Sequence, residues 1–273
     1  MINFLNGKWV QEEDMTISVL DIAVLRGFGI FDFLRSYSLK PFMLSEHIDR
    51  FMNSAKYLGI KSVYSKKDIA DIVYEGIRKN KVDVTIKIVQ TGGVSPDGFT
   101  PGGKVTFFVL FVKVIPYPEE MYLKGIKLIT SKLMRQIPQA KSINYMGSIV
   151  EVMKAQKKGA KDILHSDGKY VYESTRSNFY IIKKGNIITP AKGILHGITK
   201  KAVFTVAKQL GIPVIEKAVR ISDLAFVDES FITNSSMEIV PVVQIDNMII
   251  AKGKVGQTTI QLMNRFKKYT EEY

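Results

Sequence analysis

The chain has 273 residues, with 39 Lys plus Arg against 26 Asp plus Glu, a formal net charge of +13, three His and no Cys. A chain of this length buries a full core in one large or two modest domains. The absence of Cys excludes disulfide frameworks, thiolate zinc sites, iron–sulfur clusters and thiol nucleophiles. The histidines, His47, His165 and His196, are too scattered to suggest a metal site, and no metal is expected. The opening MINFLNGKWV lacks the pattern of a signal peptide, and no apolar run is long enough to span a bilayer, so a soluble, cytoplasmic protein is expected. A positive charge of this size is also the first footprint of a nucleic-acid binder. Here, however, the basic pairs at 66–67, 157–158, 183–184 and 200–201 and the run at 265–268 fall near helix ends and turns. That distribution favours a solvated Lys-rich surface, and a field that attracts small anions, over a nucleic-acid groove.

In chain order, Asn6-Gly7 between apolar runs predicts a hairpin of residues 2–5 and 8–11. Gly27 and Gly29 lead into a strand at 30–37, and a short apolar strand is expected after Lys40-Pro41. A helix over 46–58 would be capped by Ser45 and stopped by Gly59, and one over 66–78 would start from a Ser65/Asp68 capping box. Strands at 82–91 and 105–114 flank a Gly/Pro-rich loop at 92–103. Pro116 and Pro118 mark the best boundary, which gives a smaller N-terminal domain at 1–115, a linker at 116–122 and a larger C-terminal domain at 123–273. Beyond it the pattern predicts a strand at 126–131, a helix at 146–158, strands at 162–165 and 169–173, and a hairpin of 178–182 and 186–189. A helix at 199–210, strands at 215–219, 230–233 and 240–245, and a helix ending near 268 complete the chain. Hairpins in both halves favour two α+β domains, each with a mixed or antiparallel sheet and flanking helices, over one doubly wound parallel sheet.

Two glycine motifs carry no function. Gly98 to Lys104 satisfies G-x-x-x-x-G-K, but Val105 replaces the magnesium-binding hydroxyl and a strand follows where a helix N-terminus is needed. Gly27-Phe28-Gly29 lacks the third glycine and a following helix. The informative stretch is 139–199. Lys141 stands before a helix without an adjacent carboxylate, Glu173 ends a strand, and Thr199 opens an amphipathic helix. Each alone has an ordinary structural explanation. Together they supply an amine, a carboxylate and a helix N-terminus, the parts needed to hold pyridoxal phosphate through its aldehyde, pyridine nitrogen and phosphate.

The motifs HIDRF with Ser54-Ala55, KSINY at 141–145, YESTRSNF at 172–179, ILHGITK at 194–200 and FITNSSMEIVPVVQID at 231–246 are specific in combination. With them, the sequence resembles the class IV (fold-type IV) pyridoxal-phosphate enzymes: branched-chain aminotransferases, D-amino-acid aminotransferases and aminodeoxychorismate lyases. The resemblance covers nearly the whole chain. It implies that Lys141 binds the cofactor as an aldimine and carries the proton during transfer, that Glu173 holds the pyridine nitrogen protonated, and that Tyr145 bonds the phenolic oxygen. It further implies a phosphate site made by Arg50, the backbone of Ile198 and Thr199 with the Thr199 hydroxyl, and Ser235, with Leu195 packed on one ring face.

Substrate residues implied by the resemblance are Arg26, Phe31, Lys87 and Ser236. The arginine of a T-R-G-T-S-P-like loop found in one type of D-amino-acid enzyme is absent from Thr91-Gly92-Gly93-Val94-Ser95-Pro96. Arg26 stands where branched-chain enzymes have an aromatic residue, as in a divergent group of D-amino-acid enzymes; an interface ion pair is its competing explanation. Lys87 departs from the arginine of many branched-chain enzymes and cannot grip a carboxylate bidentately. Phe31 favours an aliphatic substrate side chain. The resulting expectation is a homodimeric transaminase passing the amino group of an amino acid to a 2-oxo acid such as 2-oxoglutarate, with a lean to D-amino acids. A branched-chain L-amino-acid aminotransferase is the alternative. Thr233-Asn234-Ser235 keeps an aminodeoxychorismate lyase open, and a basic nucleic-acid-binding protein is the non-enzymatic rival.

Overall fold

The computed structural model describes residues 1–273 as two compact α+β units. The first comprises 1–115, the segment 139–144 and Tyr273; the second comprises 116–138 and 145–272. Residues 116–122, expected as a linker, belong to the second unit, because Tyr117 and Tyr122 pack on its apolar core and the Tyr122 hydroxyl donates to the Met237 carbonyl. No helix is long and apolar enough to cross a membrane.

The first unit contains β1 (Ile2–Leu5), β2 (Lys8–Gln11), α1 (Ile22–Arg26), β3 (Gly29–Tyr37), β4 (Lys40–Pro41), α2 (Leu44–Tyr57), α3 (Lys66–Asn80), β5 (Val84–Thr91) and β6 (Phe107–Lys113). The strands form an antiparallel sheet in the order β2-β1-β6-β5-β3-β4. Asn6 and Gly7 take positive φ in the β1–β2 hairpin, as its turn type requires. The period-two pattern of β3 sends Ile30, Asp32, Leu34 and Ser36 inward, while Phe31, Phe33, Arg35 and Tyr37 share the opposite, half-buried face. The core joins Leu34, Ile86, Ile88, Phe107 and Phe111 of the sheet to Ile48 and Phe51 of α2 and Ile69, Val73 and Ile77 of α3.

Helix α3 has the expected reciprocal cap: Asp68 N–H donates to Ser65 Oγ and Ser65 N–H to an Asp68 carboxylate oxygen. It runs on to Asn80, whose side-chain amide exchanges two hydrogen bonds with the backbone of Ile2. Ser45 does not cap α2. That helix begins at Leu44 after Met43 in the left-handed conformation, with no side-chain cap. The strand expected after Pro41 is also absent, because Lys40–Pro41 itself pairs with Ser36 and Tyr37 and the chain then turns directly into α2.

The second unit contains α4 (Glu120–Lys124), β7 (Ile126–Ser131), α5 (Met146–Gln156), β8 (Asp162–Ser166), β9 (Tyr170–Ser174), β10 (Asn178–Lys183), β11 (Asn186–Thr189), α6 (Ile198–Gln209), β12 (Val214–Glu216), β13 (Val219–Arg220), β14 (Glu229–Asn234), β15 (Glu238–Ile245), β16 (Met248–Ile249) and α7 (Gln257–Glu272). Its mixed sheet runs β12-β11-β10-β14-β15-β7-β8-β9-β13, with β16 on β15. A further β9–β10 pairing, Glu173 opposite Asn178, closes β10-β14-β15-β7-β8-β9 into a ring. The single strand expected at 215–219 is two, because β12 pairs with β11 and β13 with β9 on another part of the sheet. Buried Glu229 accepts from the backbone of Thr258 and Thr259 and so caps α7, which continues to Glu272 rather than ending near 268.

Gly76 shows how closely α3 lies on the first sheet. A Cβ there would stand 1.9 Å from Phe111 Cζ, and Phe111 is fully buried. Alanine would gain about 1 kcal/mol in helix propensity, but overpacking a filled core costs about 1–3 kcal/mol, and so deep an overlap falls at the upper end. Gly76→Ala is therefore expected to lower stability by about 1–2 kcal/mol, seen as a reduced urea midpoint at unchanged slope.

Candidate active site

In the first unit, the segment carrying Lys141 is stitched to the start of β3. Phe31 N–H donates to Lys141 O at 2.9 Å, Ile143 N–H to Gly29 O at 3.1 Å, and Lys141 N–H to Ser54 Oγ on α2 at 3.0 Å. These bonds hold a buried lysine whose Nζ lies 4.4 Å from the centre of the Phe31 ring. Phe31 and Val89 are directly opposite across β3 and β5, as are Phe33 and Lys87, so the face that begins with Phe31 and Val89 continues to Lys87. Lys87 is exposed. Arg26 ends α1 and is also exposed; its guanidinium donates to the neighbouring Leu25 carbonyl. The loop bearing Arg26 is anchored by buried Asp21, which accepts from the Thr91 and Thr106 hydroxyls and caps α1 through Ala23 N–H.

Arg50 meets an acidic partner that the sequence pattern did not reveal. Asp32, inward-facing on β3, receives Arg50 Nε on Oδ2 and Arg50 Nη2 on Oδ1, both at 2.8 Å. His47 Nδ1 lies 2.6 Å from Oδ1. Because an ionised carboxylate only accepts, this imidazole nitrogen carries the proton. Burial would raise the Asp32 carboxyl, but the Arg50 guanidinium and then His47 outweigh it and hold the group well below the usual carboxylate range. Burial lowers the His47 imidazole against the pull of Asp32, so His47 stays neutral at pH 7.

In the second unit, Glu173 ends the β9 side of the ring closure. Its Oε1 accepts from Arg135 Nε at 2.6 Å and its Oε2 from Leu195 N–H at 3.1 Å. The Leu195 carbonyl accepts from Asn178 Nδ2 at 2.8 Å, so the residues paired across the closure both hold the segment entering α6. Gly197 is the N-cap of α6 and provides no side-chain cap; a Cβ on it would come within 2.0 Å of Asn178 Oδ1. Ile198 and Thr199 are thus the first helical residues, and the expected start at Thr199 moves one residue earlier. Their N–H groups and the helix dipole make a natural anion site. Tyr145 directly precedes α5, and the Arg135 guanidinium carbon lies 5.7 Å from its ring centre. Ser235 and Ser236 occupy the β14–β15 turn, which Asn234 organises: Oδ1 accepts from Ser236 N–H, Ser236 Oγ–H and Met237 N–H. The residues missed in the sequence were therefore Asp32 and Arg135, while Asn234 was noted only as part of the Thr233-Asn234-Ser235 turn and not as its organiser. The one sequence signal that could have found Asp32 is a charge at an inward position of β3.

The loop at 92–103 closes on itself. The Asp97 carboxylate accepts from Phe99 and Thr100 N–H and from the Ser95 and Thr100 hydroxyls, and a strand follows, as expected for a turn and not a nucleotide site.

Residues 29–245 match the amino-transferase class IV family model. The chain belongs to the class IV aminotransferase family. These are pyridoxal-phosphate-dependent enzymes. The chain is 39% identical to a Methanocaldococcus jannaschii protein provisionally named a branched-chain-amino-acid aminotransferase, across 97% of this chain and 94% of that protein. It is 32% identical to a D-alanine aminotransferase of Staphylococcus epidermidis, across 99% and 98%. Among solved structures it resembles the T.th. branched-chain amino acid aminotransferase with pyridoxamine 5'-phosphate, at a TM-score of 0.91 and 28% identity over 98% of this chain and 93% of that one. The mixed α+β fold of this class IV aminotransferase is the fold of that enzyme.

The Asp32 cluster makes a pH prediction for this aminotransferase. Folding lowers the Asp32 carboxyl below its unfolded value near 4. Its contribution is therefore complete above about pH 4 and declines as pH falls further, when the unfolded chain takes up the proton first. Asp32→Asn leaves Arg50 buried without its counter-charge and should cost about 3–5 kcal/mol at pH 7. In urea unfolding, the gap between wild type and variant should narrow steadily below about pH 4.

Proposed function

We propose that this aminotransferase transfers the amino group of branched-chain L-amino acids to a 2-oxo acid such as 2-oxoglutarate, with pyridoxal phosphate bound through Lys141. The observation that carries the reading is buried Lys141, its Nζ 4.4 Å from the centre of the Phe31 ring, on a face continued by Val89 where an aliphatic side chain finds apolar company. The relatives support it, since the 39% identical protein and the superposed structure both carry branched-chain names.

The donor set suits the cofactor. The amine of a buried lysine, a buried carboxylate held at both oxygens, and a helix start without a side-chain cap match its aldehyde, ring nitrogen and phosphate. When bound, pyridoxal phosphate supplies an electron sink for the bonds at the substrate Cα. In this reading Lys141 attaches the cofactor and, once released, moves the proton at the substrate Cα; the hydrogen bond from its backbone N–H to Ser54 fixes where its side chain starts. Glu173 holds a proton on the ring nitrogen, and Tyr145 bonds the phenolic oxygen. Ile198, Thr199 and Ser235 grip the phosphate, and Arg50, oriented by Asp32, adds charge to it. Leu195 packs on the ring, and Phe31, Lys87, Arg26 and Ser236 face the substrate.

A second reading, transamination of D-amino acids, rests on Arg26 and on the 32% identical D-alanine enzyme. The lyase reading has only the Thr233-Asn234-Ser235 turn in its favour. A donor panel separates all three: the branched-chain reading predicts amino transfer from L-leucine, L-isoleucine and L-valine. Turnover of D-alanine or D-glutamate in their place would contradict it, as would release of pyruvate from aminodeoxychorismate without amino transfer. Lys141→Ala should abolish the visible absorption band of the bound cofactor and lower activity by at least about 10²-fold.

We also propose a homodimer. Met146, Ile149, Val150 and Met153 are exposed at helical spacing on α5, a stripe too apolar for a solvated face. Light scattering should give twice the chain mass, and Ile149→Glu with Met153→Glu should shift it toward the monomer.

A further inference from the structure

Glu173 is held by a guanidinium, that of Arg135. Its side chain is largely buried, 12% exposed, beside a Glu173 side chain that is 3% exposed. Nε donates to Glu173 Oε1 at 2.6 Å, and Nη2 donates to the Thr175 carbonyl at 3.3 Å, so one planar group grips both the carboxylate and the turn after it. The other face of the contact is Tyr145, whose ring centre lies 5.7 Å from the guanidinium carbon. Arg135 therefore touches the two residues to which the proposed function assigns the ring nitrogen and the phenolic oxygen.

The backbone around Arg135 is itself held. His165 Nδ1 lies 2.7 Å from the Leu133 carbonyl, two residues earlier on the same segment. Burial lowers the His165 imidazole, so it donates as a neutral ring. Other titratable groups in electrostatic reach are few. His165 senses Glu173, Arg135 and Asp162, and Lys200 senses Glu173. Asp162 is occupied by the Ser174 and Thr175 hydroxyls, and Lys200 by the Pro190 carbonyl and Glu216. Arg135 is the only one of these that bonds the Glu173 carboxylate directly.

We propose that Arg135 is a positioning residue for the cofactor: it sets the orientation and charge balance of Glu173 and couples that carboxylate to Tyr145, so that the two polar edges of the cofactor ring are tuned by one guanidinium. The proposal rests on the assignment of Glu173 and Tyr145 above. Chemistry favours arginine for the task. A fixed fork can hold a carboxylate and a carbonyl at once and never gives up its proton, whereas lysine presents a single mobile point charge. With the guanidinium gone, Glu173 would be a buried carboxylate short of its counter-charge, and a proton on the lysine–cofactor nitrogen would be favoured by the missing positive charge.

The test uses the full-length holoprotein and three variants: Arg135→Gln, Arg135→Lys and Glu173→Gln, with the Arg135→Gln/Glu173→Gln double variant. The readouts are the pH midpoint of the visible cofactor band, the dissociation constant for added pyridoxal phosphate, and the thermal midpoint. Arg135→Gln should move the pH midpoint upward by about one unit and weaken cofactor binding about tenfold. Arg135→Lys should recover part of both and, keeping a buried charge, serves if the glutamine variant fails to fold. On the Glu173→Gln background the Arg135 change should add little to either readout, because the two residues act as a unit. A fall in thermal stability with midpoint and affinity unchanged would make Arg135 merely structural and overturn the proposal. Equal shifts on both backgrounds would overturn the route through Glu173. Failure of the wild-type protein itself to take up pyridoxal phosphate would instead strike the underlying cofactor assignment.

Discussion

The short backbone ladder between 141–143 and the start of β3 is the constraint on which the chemistry of the first unit depends. Lysines are mostly exposed because their charge is costly to bury. Here Phe31 N–H, Ile143 N–H and Ser54 Oγ fix the backbone around Lys141, and its side chain brings Nζ to 4.4 Å from the Phe31 ring centre. The same strand carries Asp32 on its other side. One residue of β3 thus lies beneath the lysine and the next orients Arg50, a consequence of period-two alternation and not of sequence proximity between the lysine and the arginine.

The second unit solves a related problem with a carboxylate. Closure of the strand ring brings Glu173 opposite Asn178, and both reach the Leu195 backbone, one through its N–H and one through its C=O. The entry to α6 is therefore registered against the acid rather than left to its own loop. Gly197 is required there because any Cβ would collide with Asn178, and its lack of a side chain leaves the helix start without a local cap. A helix N-terminus without a cap is costly unless water or a ligand satisfies it. In the function proposed above an anionic phosphate takes that place, with the dipole in its favour.

Much of the fold was legible in local chemistry. The Asn6-Gly7 turn, the Ser65/Asp68 cap and the 178–189 hairpin are decided by residues a few positions apart, and they form as expected. The resemblance of five short motifs to one enzyme family extended that reading to fold class and family. What escaped depends on contacts between distant residues. Ser45 is a good cap in isolation, yet the Lys40–Pro41 pairing and a left-handed Met43 start the helix before it. The 215–219 strand divides because two different neighbours claim its ends. Arg135 gave no local sign, since its partner lies 38 residues on. Substrate preference is not set by such local chemistry: Arg26 suggested D-amino acids, while the relative at 39% identity and the superposed structure carry branched-chain names.

Two lysines are buried in this chain, Lys141 and Lys200, and only chemistry distinguishes them. Lys200 is already committed to the Pro190 carbonyl and Glu216, and it serves to bind α6 to its surroundings. Borohydride reduction of the protein loaded with pyridoxal phosphate, followed by peptide mass mapping, therefore tests the central claim most directly. The account predicts a single phosphopyridoxyl group on the peptide containing Lys141. Labelling of Lys200 or of scattered surface lysines, with Lys141 unmodified, would contradict it.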